Sequence, residues 1–331
     1  MPAPWLALRR RVLTPDVSDT DLAKRGFRLG TDAARTALQN AGRSFVGGYA
    51  AAAGTRTPAD AAARLERTPP DLRGFAYEGA AMAYAVMDGL WLGGGDGLGR
   101  LLAGPGAPHV YMVHVGAGWA LGRLPRRRWR AVLPHDPLLR WLALDGYGFH
   151  QAYFRTARYV RERHAEDTAA WPVPGLGGYG RRAIDQGIGR ALWFVECADV
   201  DAVAATVSAF PEHRREDLYG GVGLAATYAG GTGEAELTRL WHHAGAHRPA
   251  LAQGAAFAAK ARERAGLVTA HTELATAVLC GLSASAAAKL TDEVLAELPD
   301  DLDERPGAAE RPAYAVWRER IAAQLRQLGR C

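Results

Sequence analysis

At six regularly spaced places along this 331-residue chain a glycine is followed two residues later by Gly or Ala, and four residues later by a small residue in all but one case. The copies begin at Gly79, Gly116, Gly146, Gly187, Gly221 and Gly254, spaced by 37, 30, 41, 34 and 33 residues. A period near 35 is the mark of stacked helical hairpins. Residues four apart share a helix face, and a stripe of small residues lets a neighbouring helix approach closely. A glycine inside a helix costs about 0.5–1 kcal/mol relative to alanine, so six of them imply tight packing or close approach of a ligand. Packing alone supports a scaffold and no particular function. The copy that breaks the rule has His150 where the others have Ala.

The fold class this predicts is all-α: a helical-hairpin repeat array, a TPR-like α-solenoid, with irregular Gly/Pro-rich loops. Abundant Ala, Leu and Arg beside sparse β-branched residues favour helix over sheet. Helices are predicted over 31–45, 59–65, 217–229, 234–244, 250–264, 273–279, 284–298 and 314–328, with Thr269 and Ser283 as N-caps. Gly30-x-x-x-Ala34 is a possible further copy of the repeat. Residues 191–196 are read as buried helix, and the Pro/Gly-rich stretch 171–180 as a linker or functional loop. The chain divides into an N-terminal lead-in segment (1–28), a helical repeat domain (29–298), and an acidic loop with a C-terminal amphipathic helix (299–331).

Several function classes find no support. No segment is long and apolar enough to span a bilayer. The arginines at 9–11 follow rather than precede the first apolar residues, the wrong order for a signal peptide, so the protein is expected in the cytoplasm. Cys197, Cys280 and Cys331 have no CxxC spacing, against a disulfide framework or a Cys-rich metal site. The densest basic run, Arg123 to Arg130, suits a phosphate or an acidic protein, or is a solvated loop. With only Trp129 interleaved it offers little for nucleic-acid stacking. No P-loop, dinucleotide fingerprint or nucleophile elbow is present.

The position just before each repeat glycine holds Glu78, Val115, Asp145, Gln186, Gly220 and Gln253. A largely polar row beside a small-residue row either lines a concave surface or channel, or satisfies helix ends between hairpins. Asp145 with His150, joined by Glu196, is a candidate for general acid/base work, and Glu78 and Asp185 belong to the same acidic set. Tyr77, Trp119, Tyr147, Phe149, Gln186, Trp193 and Gln253 are candidate substrate-binding residues. His243 and His247 have the four-residue spacing at which two imidazoles on one helix share a metal, but Gly245 lies between them.

The long motifs Gly74–Ala83, Val113–Ala120, Leu144–His150, Asp185–Glu196, Gly221–Ala225 and Leu251–Lys260, in this order, resemble the UnbL-type proteins, domain-of-unknown-function family 1702. The resemblance covers about Gly26 to Leu328. It departs at Gln151, where members often carry a carboxylate, and at Cys197, where they often carry glycine. Members are encoded with iterative polyketide synthases in actinomycete enediyne antibiotic clusters. The resemblance therefore implies an accessory role in enediyne-type polyketide biosynthesis, acting on or binding a hydrophobic polyene or enediyne-core intermediate, with a carrier protein or other biosynthetic enzymes as partners. It transfers no catalytic residue and no cofactor. The alternative is a non-catalytic solenoid that holds the intermediate, scaffolds partner enzymes or sequesters the product.

Overall fold

A computed structural model describes residues 4–92, 95–168, 171, 176–304 and 307–329. Residues 172–175 of the Pro/Gly-rich stretch and Cys331 lie outside them. The described residues are all-α, with no strand among them. In chain order the helices are α1 (Pro4–Leu13), α2 (Asp32–Ala53), α3 (Pro58–Leu65), α4 (Pro70–Gly89), α5 (Gly97–Ala103), α6 (Val110–Leu121), α7 (Trp141–Phe154) and α8 (Gly177–Val195). They continue as α9 (Val200–Ser208), α10 (Glu212–Ala229), α11 (Glu234–Ala244), α12 (Arg248–Arg264), α13 (Ala270–Cys280), α14 (Ala284–Ala296) and α15 (Ala313–Gln327).

Local chemistry sets many of the boundaries. Thr31, Asp199, Thr269 and Ser283 each accept a first-turn backbone N–H at their helix N-terminus. Thr57 and Asp60 form a capping box ahead of α3. The predicted hairpin across Gly230–Gly233 is present, with Gly230 at φ 71° and Gly231 at φ 101°, and residues 191–196 close the end of α8. Cys197 follows at φ 49°, a left-handed backbone that favours glycine. A glycine at this position would therefore sit without strain.

The repeat glycines form a ladder of helix crossings. A methyl placed on Gly116 would lie 2.2 Å from the Glu78 carbonyl oxygen, one on Gly146 2.0 Å from that of Val115, and one on Gly187 1.8 Å from that of Asp145. Gly221 meets the Gln186 carbonyl at 1.9 Å and Gly254 that of Gly220 at 1.9 Å in the same way. Each partner is the residue just before the preceding copy's glycine. The glycines two residues on face the following helix instead: Gly118 meets Ala143 O at 1.9 Å, Gly148 meets Ile184 O at 2.1 Å, Gly189 meets Leu218 O at 2.0 Å and Gly223 meets Leu251 O at 2.0 Å. Each partner there stands three residues before the next copy's glycine. Any side chain would push the helices apart, and the close backbones favour Cα–H···O contacts.

Thus α4, α6, α7, α8, α10 and α12 pack in chain order, with shorter elements between them. The further copy is not at Gly30, which precedes the cap of α2 and packs on the Cys197 carbonyl. It lies later in α2, where Gly48 meets Ala76 O and Phe45 O receives Gly79, each 1.9 Å from the notional methyl.

Side chains bridge the inner faces of the stack. Arg190 of α8 reaches both α4 and α7, Phe75 of α4 packs edge-on against Tyr228 of α10, and Arg318 of α15 reaches α10 and α12. Both terminal segments join this core. Arg9 Nε donates to Ala53 O at 2.8 Å, Phe27 packs edge-on against Tyr153, and Trp317 packs on Phe257.

Candidate functional site

Three residues after each first glycine stand Met82, Trp119, Phe149, Arg190, Leu224 and Phe257. The first four point inward and line one cleft; Leu224, Phe257 and again Arg190 line a smaller cavity beyond it. The cleft encloses about 70 Å³, and Phe45, Phe75, Tyr153, Phe154 and Phe194 complete an aromatic wall. Trp119 is its centre, with ring centroids 4.5 Å from Phe45 and 4.9 Å from Phe149.

The polar floor is made by Glu78 and Arg190. Trp119 Nε1 donates to Glu78 Oε1 at 3.0 Å, and Arg190 Nη2 lies 3.7 Å from the same oxygen. Arg190 Nη1 donates to Asp145 Oδ1, and Asp145 lines the smaller cavity on the other side. One buried cation therefore serves two buried carboxyls. Burial pushes the Glu78 carboxyl up to about 7, against the opposing pull of Arg190 and the Trp119 hydrogen bond. Burial also raises Asp145, against the opposing pull of its direct bond to Arg190. Of the two, Glu78 is the carboxyl raised to near neutrality.

His150, the exception in the repeat, does not join this floor. It packs edge-on against Trp119 at 5.8 Å and against Gly122, where a methyl would lie 2.3 Å from its Nδ1. It shares no hydrogen bond with Asp145. Burial, with the charges of Arg123, Arg155 and Arg25, lowers its pKa to about 3, so the ring is neutral at physiological pH. Glu196 is elsewhere, paired with Arg28 at 3.2 Å and accepting from Thr206 Oγ1 at 2.8 Å. Asp185 is held by Arg214 through two bonds of 2.9 and 2.6 Å.

The expected substrate-binding set divides likewise. Trp119 and Phe149 line the cleft. Tyr77 stacks on His109 at 3.9 Å and donates to Glu66, Tyr147 donates to Glu166 at 2.8 Å, and Trp193 donates to Gly230 O. Gln186 and Gln253 belong to a second buried centre around Arg318. There Arg318 donates to Asp217 at 2.9 Å, Tyr179 at 2.8 Å and Gln253 at 2.8 Å, Arg182 adds a bond to Asp217 at 2.8 Å, and Gln186 donates to Tyr179. The two histidines with metal-ligand spacing point to different carboxylates, His243 to Asp201 at 2.7 Å and His247 to Glu212 at 3.4 Å. Among the described residues no three His, Cys, Asp or Glu side chains are grouped to hold a metal ion.

Arg190 and Arg318 do not stand among the residues that the sequence patterns pointed to. Arg190 had a signal: it is the one charge in a column otherwise filled by Met, Trp, Phe and Leu. Arg318 had none, because it reaches the centre from outside the repeat.

No single described helix is long and apolar enough to cross a membrane. No curated protein and no solved structure matches this chain. A family model described as a protein of unknown function (DUF1702) matches residues 4–325, and the chain belongs to that family.

Proposed function

We propose that this protein binds an extended hydrophobic polyene in the aromatic cleft, and that Glu78 gives or takes a proton there. The observation that carries this reading is a cleft walled by aromatic rings with a buried carboxyl held near 7 on its floor. Flat conjugated chains stack well on such walls. A carboxyl that is half protonated at neutral pH serves as acid or base. The alternation of glycine-bearing and shorter helices supports a helical-hairpin repeat array as the scaffold. The resemblance to the UnbL-type proteins supports an enediyne-type polyketide intermediate as the polyene, met in the cytoplasm beside the synthase or a carrier protein.

The test titrates full-length protein with cis-parinaric acid methyl ester, a conjugated tetraene, and follows its fluorescence. Saturable binding that is lost in Phe149→Ala supports the reading, and absence of binding overturns it. Replacing Glu78 by Gln in a producing strain, followed by mass spectrometry, then tests the chemistry. Accumulation of a polyene precursor supports proton transfer. An unchanged product profile with binding intact favours a second reading, a holder without chemistry. That reading is motivated by the engagement of Glu78 with Trp119 and Arg190.

A further inference from the structure

The mouth of the cleft carries a charge pattern that the floor does not. Arg123, just beyond the C-terminal end of α6, lines the cleft, and its guanidinium has no hydrogen bond or ion pair among the described residues. Arg25 backs the wall: its Nη2 donates to Tyr153 O at 2.7 Å, its guanidinium lies 4.8 Å from the Phe154 ring centroid, and its buried Nε has no partner. Arg155 follows Phe154 directly and is exposed. The positive charge of all three opposes protonation of the same imidazole, His150, after the larger effect of its burial. The acidic counterweights are Asp19, which also lines the cleft and lies 3.8 Å from Lys24, and Asp21, whose charge reaches Tyr153 along with that of Asp19. Cations therefore outnumber anions at this end, and one guanidinium at the opening is free.

We infer that the ligand is a hydrophobic chain ending in a carboxylate, with its tail among the aromatic rings and its carboxylate paired to Arg123 at the mouth. This rests on the cleft being the polyene site and names the head group. A guanidinium presents two parallel N–H donors that match a carboxylate's two oxygens. A thioester on a carrier offers no such charge, so this end of the cleft selects the released acid over the tethered chain.

The experiment compares cis-parinaric acid with its methyl ester, which stands in for a neutral thioester, by fluorescence titration at pH 8 and low salt. The acid should bind about five- to tenfold tighter to the unmodified protein, the range for a partly screened charge-assisted pair. In Arg123→Gln that ratio should fall to near one while ester affinity holds. Arg127→Gln, at an exposed arginine outside the cleft, should keep the ratio. Equal binding of acid and ester by the unmodified protein overturns the inference. So does a preference that survives Arg123→Gln, or one lost equally in Arg127→Gln. Binding of neither compound overturns the cleft reading itself, a result distinct from loss of the preference alone.

Discussion

Arg190 and Arg318 are both buried guanidiniums that tie the polar row of the glycine helices together, yet their surroundings differ in kind. Arg318 meets one carboxylate that a second arginine shares, plus a tyrosine hydroxyl and an amide, so its donors are spread over acceptors with little surplus negative charge. Arg190 meets two carboxyls and the face of Phe149, one carboxyl bonded directly and one 3.7 Å away beside an aromatic cleft. The first is a clasp that fixes α15 to α10 and α12. The second leaves a carboxyl whose charge is undecided near neutral pH, next to a space that a ligand can enter. The two clusters are equally buried; they differ in charge balance and in whether a cavity adjoins them.

The largest expected effect tests the clasp. Arg318→Ala strands Asp217 and Gln253 in the core and should cost about 3–5 kcal/mol in urea unfolding; a loss below about 1 kcal/mol would show that Arg182 alone satisfies Asp217. Next comes the pH dependence of Glu78. Its carboxyl ionises near 4.5 in the unfolded chain but near 7 when folded, so its contribution to stability is complete below pH 4.5 and is lost as the pH rises to about 7. Relative to Glu78→Gln, the unmodified protein should lose about 3 kcal/mol over that window. Parallel stability curves for the two would mean that Arg190 keeps Glu78 ionised, and would erase the distinction between the centres.

Smaller again is Gly187→Ala, whose methyl would meet the Asp145 carbonyl. It should cost about 1–3 kcal/mol through overpacking and weaken polyene binding, because it displaces the helix that carries Asp145. Gly254→Ala, in the Arg318 half, should cost about as much and leave binding intact; equal binding losses would show that the two halves move as one. The smallest effect is expected on the surface. Arg28→Ala removes half-exposed pairs to Glu196 and Asp199 and should change stability by about 0.2–1 kcal/mol, with binding unaltered.

Much of the scaffold was legible because its governing contact is between backbones. A glycine that must clear a carbonyl leaves its mark at a fixed spacing, so Gly116, Gly146 and Gly187 announce the crossings in the order of amino acids alone. Caps were equally readable at Thr269 and Ser283. The site was half legible. Glu78, Trp119 and Phe149 lie in the cleft, and Glu78 stands out as a carboxyl in a small-residue helix. His150 drew notice by breaking the pattern, yet its ring is accommodated by Gly122, a packing exchange that reads in sequence like a functional substitution. The pairing of Arg190 across three helices was not legible, since it depends on how tightly the stack turns. The same holds for α15, whose amphipathic pattern announces a buried face but not which cavity wall it completes.

The register of the glycine ladder also bears on how such a chain can change over generations. Each copy offers one glycine to its predecessor and one small residue to its successor, so a duplicated unit could be spliced in with both joints already matched. Between α4 and α8 that freedom ends. Arg190 reaches Glu78 only because two units lie between them, and one more would carry the guanidinium out of range. Copy number is therefore locked across the cleft by the length of one arginine side chain, and beyond it by Arg318, which bonds α8, α10 and α12 at once.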